Sequence, residues 1–349
     1  MFLFWLGVAV LCSVPVSIAL VLTLHYYHLR WKYLHLMVRI FQEKPLFVVP
    51  RGQPVPEAED VRFPTDGGLT LAGCYFKGAG PRRGVILFGL EFGSTRWSCL
   101  PYCEYLVAAG YDVFAFESRG QGDSQRQPGY DPLQWVTDFE VRDAHAALAY
   151  LKGRPDAEPR GVGFIGISKG AGAGLLAAGR DGYVRCCVTD GVFGSYTTVI
   201  PYMRHWFRIY NNQYLIQELI PSWYYGLVGL SGLRRIGRLR RCRFPHLEQA
   251  LRRLGSRPLL MIHGGADTYI KPEMARALFG YAARPKELWV VEGAKHNQAL
   301  HVAGDEYRRR VLEFFDKHLA QEKANLTQSR EERKEEKTAE KPRAAALRR

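Results

Sequence analysis

The sequence predicts an α/β protein whose mostly parallel sheet is covered by helices on both faces. Two observations carry this. Continuous apolar runs such as Gly84–Phe88, Asp112–Phe116, Leu259–His263 and Leu288–Val291 alternate with helix-length segments, the pattern of strands buried on both faces and joined by crossovers. In the second, Val162 to Ile167 reads as a buried strand running straight into small residues that open a helix, with Ser168 at the centre of a G-x-S-x-G. A tight strand-to-helix turn of this kind holds a serine in a strained backbone with its hydroxyl exposed.

Taken in order, the chain starts with an appendage. Phe2 to Leu24 carries no charged side chain and is long enough to span a bilayer. No Lys or Arg precedes the run, unlike the basic start of a cleaved signal peptide. Aromatic residues with Arg30, Lys32 and Arg39 follow it, which predicts a single-pass anchor with everything downstream in the cytoplasm. Residues 25–56 read as a juxtamembrane segment and linker, with Leu34 to Ile40 as an interfacial helix and four prolines from Pro45 to Pro56.

The globular domain is expected over 57–320. Asp60–Pro64 and Leu69–Phe76 form a hairpin around Asp66-Gly67-Gly68. Strands at Gly84–Phe88 and Asp112–Phe116 flank a helix over Cys99–Ala109, and an amphipathic helix at Asp138–Leu151 precedes the Ser168 strand. Short strands at Cys186–Val188, Leu259–His263 and Leu288–Val291 follow, and Tyr307–Leu319 closes the domain as a helix. Residues 321–349 mix nine Lys or Arg with six Glu and hold no aromatic residue, a composition that predicts disorder.

The 47% hydrophobic content excludes a disordered chain overall. Seven cysteines form no C-x-x-C and no zinc-like cluster, so they read as free thiols of a reducing compartment, and no metal or cofactor is expected.

Ser168 needs a base and an acid. His296 lies just past the last strand and Asp267 just past the one before it. The order Ser, Asp, His places all three at carboxyl ends of strands, where ligands bind in open α/β sheets. Asp190, after the strand that follows Ser168, is the alternative acid.

With these residues in hand, the chain from about Asp60 to Leu319 resembles the α/β-hydrolase superfamily, and within it the serine-aminopeptidase and monoacylglycerol-lipase-like group. The Arg119-Gly120-x-Gly122-x-Ser124 segment and the His263-Gly264 before Asp267 are similar to that group's signatures. The resemblance implies an α/β-hydrolase fold with an inserted cap, Ser168 as nucleophile, His296 as base and Asp267 as its partner. It implies oxyanion donors at the backbone N–H of Lys169 and, from the loop after Gly84–Phe88, of Leu90. The histidine common before that glycine is Phe88 here, and Glu91 next to Leu90 opposes a developing oxyanion unless it points to solvent or pairs with Arg96. The G-x-S-K-G spelling resembles acyl-CoA thioesterases, implying an anionic acyl carrier near Lys169; the alternative is a solvent-facing lysine at a helix start.

The cap is expected at about 195–254. Residues 200–254 hold ten Arg, no Lys and two Glu, a net +8 of the chain's +14. Aromatic residues including Tyr202, Trp206, Tyr214 and Trp223 fill its first half, and arginines its second. On an anchored protein this composition predicts a lid on an anionic leaflet; no nucleic-acid motif accompanies it. The sequence therefore predicts a membrane-anchored serine hydrolase acting on an acyl ester, thioester or lipid. A peptidase or acyl-CoA thioesterase of the same fold, and a catalytically inactive interaction protein, are the alternatives.

Overall fold

The structure is a computed structural model that describes residues 1–43, 52–210 and 220–320. The expected tail over 321–349, most of the proline linker, and Tyr214 of the cap lie outside the described residues. Two compact units emerge, Met1–Leu46 with Tyr196–Phe244, and Phe47–Ser195 with Pro245–Arg349.

The larger unit is built on an eight-stranded sheet. Its strands are β1 (Glu59–Pro64), β2 (Thr70–Phe76), β3 (Gly84–Gly89), β4 (Tyr111–Phe116), β5 (Val162–Ile167), β6 (Val184–Asp190), β7 (Leu259–Gly264) and β8 (Lys286–Val291). They stand in the order β1-β2-β4-β3-β5-β6-β7-β8. Only the β1–β2 and β2–β4 pairings are antiparallel. From β4 onward every neighbouring pair is parallel.

Successive strand residues feed two different cores, which is why the runs are continuously apolar. Val85, Leu87, Phe164, Leu259 and Met261 join the layer packed with helices later in this unit. Ile86, Phe88, Ile165, Leu260 and Ile262 join the opposite one. The first layer is covered by α3 (Asp138–Gly153), α4 (Ser168–Ala178), α7 (Leu247–Arg253) and α8 (Pro272–Phe279). The second is covered by α2 (Leu100–Ala108), α9 (Ala299–Ala303) and α10 (Asp305–Phe315). Helix α7, from the stretch expected as cap, packs here, with Ala250 against Gly179.

Parallel register brings Gly89 opposite Gly166, Ile167 opposite Asp190, and Gly264 opposite Val291. The residues that follow these ends therefore share one edge of the sheet.

Among the described residues the smaller unit has three helices: α1 (Phe2–Gln42), α5 (Ser195–Tyr210) and α6 (Ser222–Arg240). The expected anchor and interfacial helix are one continuous helix, α1. Its N-terminal part exposes Phe4, Trp5, Leu11, Val16, Leu20 and Leu24. Farther on, Leu29, Tyr33, Leu34, Met37, Val38 and Phe41 are buried, a stripe at helical spacing.

That stripe packs on α5 and α6. Tyr33 meets Phe207 edge-on with ring centroids 5.2 Å apart, and Phe207 meets Tyr225 at 4.9 Å. The Tyr224 hydroxyl donates to the Leu22 carbonyl at 2.7 Å. Arg240 Nε donates to Gln42 Oε1 at 2.8 Å.

Candidate active site

Ser168 opens α4 immediately after β5 with φ of 50°, a left-handed conformation that costs a non-glycine residue on the order of 1 kcal/mol or more. The turn is tight because two backbones meet beneath it. A Cβ on Gly170 would lie 2.3 Å from the Leu90 carbonyl oxygen, and one on Gly89 2.7 Å from the Gly170 oxygen. Glycine at both places lets the β3 loop reach the start of α4, so the two share one steric cause.

The structure brings Ser168, His296 and Asp267 together. Ser168 Oγ is 3.0 Å from His296 Nε2, and His296 Nδ1 is 2.7 Å from Asp267 Oδ2. The other oxygen, Asp267 Oδ1, accepts the backbone N–H groups of Tyr269 and Ile270, each at 2.8 Å. His263 Nε2 donates to the Ile270 carbonyl at 2.7 Å, and burial holds the His263 imidazole below its ordinary pKa. Thus Asp267 is fixed by its own loop and aimed at one ring nitrogen. That choice makes Nδ1 the protonated nitrogen and leaves Nε2 to accept the Ser168 proton.

Asp190 is not the histidine's partner. It is buried at the end of β6 beside Glu91 and Tyr307, and burial pushes its carboxyl up to about 7. The alternative acid is therefore set aside.

Lys169 follows neither expectation from the sequence. Its side chain is 2% exposed, so it neither faces solvent nor stands ready for an anionic carrier. Nζ donates to Glu140 Oε1 at 2.9 Å and to the Leu133 carbonyl at 2.5 Å. Glu140 also accepts the Tyr130 hydroxyl at 2.6 Å and the Thr137 N–H at 2.8 Å. Burial acts to raise the Glu140 carboxyl, but Lys169, Tyr130 and Thr137 together hold it below its ordinary value. The backbone of Lys169 lies in the first turn of α4, whose N–H groups have no intrahelical acceptor. With the Leu90 backbone seated against Gly170, both expected oxyanion donors belong to segments in contact.

Glu91 neither points to solvent nor pairs with Arg96. Arg96 instead binds buried Glu117 at 3.2 Å and Asp123 at 2.7 Å. Glu91 Oε2 accepts Asn297 Nδ2 at 2.6 Å, which ties the β3 loop to the residue after His296. Burial raises the Glu91 carboxyl, opposed by the Asn297 bond and by nearby His296. Asn297 has φ of 57°, and a Cβ on Gly191 would lie 2.5 Å from its Oδ1. Glycine at 191 makes room for it.

Around the histidine the walls are aromatic. Tyr269 and Phe193 lie 5.3 and 6.4 Å from its ring, and Trp135 packs edge-on against Phe193 at 5.5 Å. Sequence reasoning missed Glu140, Asn297, Trp135, Phe193 and Tyr269. The Thr137-x-x-Glu140 capping box was the one local signal for the first of them.

The Arg119-Gly120-x-Gly122-x-Ser124 segment is architectural. Arg119 Nη2 binds Asp143 Oδ1 at 2.6 Å with both side chains fully buried. Ser124 Oγ donates to the Glu117 carbonyl at 2.6 Å and accepts the Ala72 N–H at 2.8 Å.

Among known proteins, residues 80–311 match the alpha/beta hydrolase family. YfhR of Escherichia coli K12 is 26% identical over 270 residues, 74% of this chain and 80% of that protein. The polyketide transferase af380 of Aspergillus fumigatus is 25% identical over 299 residues, 75% of this chain and 98% of that protein. The esterase Pf2001 of Pyrococcus furiosus superposes with a TM-score of 0.58 at 22% identity, over 79% of this chain and 100% of its own. The family match spans more than half of the sequence and the fold likeness agrees with it: the chain belongs to the alpha/beta hydrolase family.

Proposed function

We propose that the protein is a membrane-anchored serine hydrolase, its catalytic domain in the cytoplasm, that cleaves an ester or thioester bearing an apolar acyl group. The observation that carries this is the relay from Ser168 Oγ through His296 to Asp267, with spacings of 3.0 and 2.7 Å. Ser168 attacks the acyl carbonyl while His296 Nε2 takes its proton, and Asp267 stabilises the imidazolium through Nδ1–H. The Lys169 and Leu90 N–H groups receive the charge on the carbonyl oxygen. His296 returns the proton to the leaving alcohol or thiol, and water then releases the acid from the acyl-enzyme by the same steps. Phe193, Trp135 and Tyr269 favour an apolar acyl chain beside the histidine.

A fluorophosphonate probe is expected to label the full chain and to fail on Ser168→Ala; equal labelling of both would sink the assignment. The resemblance to af380 favours a second reading, in which the acyl-enzyme is discharged onto an organic acceptor. A panel of acyl esters of rising chain length, with free acid and transfer product both quantified, separates the two.

A further inference from the structure

Helices α1 and α6 are far apart in sequence yet packed side by side, and their contacts advance together along both chains. His25 meets Tyr224, Tyr26 meets Ser231 and Gln42 meets Arg240, at separations of 199, 205 and 198 residues. Met37 fills the space over Gly232 between them. Partners that advance in the same direction along both chains, 25 with 224 through 42 with 240, mean that the helices run parallel.

Each helix changes character once. In α1, residues 2–29 contain no Lys, Arg, Asp or Glu, and Arg30, Lys32 and Arg39 follow. In α6, residues 222–233 contain none either, and Arg234, Arg235, Arg238 and Arg240 follow. The two switches, at 30 and 234, are 204 residues apart (234 minus 30), within the offsets of the packing contacts. Both helices therefore turn from uncharged to basic within a few helical turns of one another, about 15 Å at most.

On the uncharged side α6 does not hide its apolar residues. Trp223 is 61% and Leu227 40% exposed, as Leu24 and Tyr27 are exposed on α1. On the basic side Arg234, Arg235 and Arg238 are exposed. A shared plane with mostly aromatic and aliphatic surface on one side and arginines on the other, joined there by exposed Trp31 and Leu239, matches a bilayer boundary with anionic head groups.

We infer that the first three turns of α6 are immersed in the same leaflet as the end of the anchor helix, so that this cap helix is itself a membrane element. At 1.5 Å per residue, Trp223 stands about 16 Å and Leu227 about 10 Å inside the arginine plane. The inference rests on the reading of Phe2–Leu24 as a membrane span.

The test uses the full chain in proteoliposomes containing anionic lipid. In a Cys12→Ser background, an environment-sensitive fluorophore is attached at Val16→Cys, Trp223→Cys, Leu227→Cys or Arg235→Cys. The six other cysteines are buried and their failure to react reports an intact fold. Quenching by acyl-brominated lipid and by aqueous iodide is then compared. Probes at 16, 223 and 227 are expected to be quenched at least severalfold more by brominated lipid than by iodide, and the probe at 235 the reverse. If 16 reports lipid while 223 and 227 behave like 235, the cap helix is outside the membrane and the inference falls alone. Shielding of 223 and 227 from both quenchers means that protein covers them, which also overturns it. Iodide access at 16 removes the anchor reading and the inference with it.

Discussion

The two units dispose of charge in opposite ways. In the sheet unit several ion pairs are interior: Arg119–Asp143, Lys169–Glu140 and Arg96–Glu117 are all nearly inaccessible. In the helical unit Arg234, Arg235, Arg238 and Arg241 are exposed, and so are Trp223, Leu227 and Leu239. Buried pairs of this kind specify geometry at the cost of desolvation, and losing one partner strands the other. Exposed charge beside exposed apolar surface specifies an environment. The first unit keeps its charges paired inside; the second exposes apolar and basic residues side by side.

The sharpest way to probe this contrast is to unpair carboxylates inside the sheet unit one at a time. Asp267→Asn removes the charge that fixes the His296 tautomer, and kcat is expected to fall on the order of 10⁴-fold with folding retained. A fall of less than tenfold would move the acid's role elsewhere. Lys169→Met leaves Glu140 buried without its cation, and a loss of about 3–5 kcal/mol in chemical denaturation is expected. Adding Glu140→Gln, which removes the stranded charge and keeps an acceptor for the Thr137 N–H, should recover part of that loss, and no recovery would mean that Lys169 does more than neutralise Glu140 and hold the Leu133 loop.

Asp190 offers a third, pH-dependent comparison. Its folded pKa, raised to about 7 from 3.8, stabilises the fold fully below 3.8, and that contribution is lost as pH rises to about 7. Asp190→Asn is therefore expected to flatten the stability profile between about pH 4 and 7. It should stabilise the chain at pH 8 by on the order of a few kcal/mol, with kcat changed only a few-fold. A profile unchanged by the substitution would contradict the burial argument. At the small end, Arg235→Gln in the helical unit should leave stability within about 0.5 kcal/mol, and a larger loss would show that the exposed arginines are not equivalent to solvent.

What could be read in the sequence followed what is local. Every strand but β1, which alternates buried Val61 and Phe63 with exposed neighbours, carries its own apolar run, and Ser168, Asp267 and His296 each follow one. Lys169 was misjudged because its partner lies 29 residues away on another helix. Glu91 was misjudged because Asn297 is 206 residues distant. No periodicity reports such pairings. The stripe from Leu29 to Phe41 was read only in part, as an interfacial helix over Leu34 to Ile40, because what it packs against sits about 200 residues downstream.

That last distance has a consequence in time. When α1 leaves the ribosome its Leu29–Phe41 face has no partner, and α6 is completed only when Arg240 has been made. At about 5–20 residues per second, roughly 200 residues take about 10–40 s. During that interval strands β1 to β6 emerge, while α1 waits with its inner stripe uncovered. A chain stalled before Ser222 should therefore expose an apolar helix face that the finished protein never shows, and this is where a chaperone or a protease would find it.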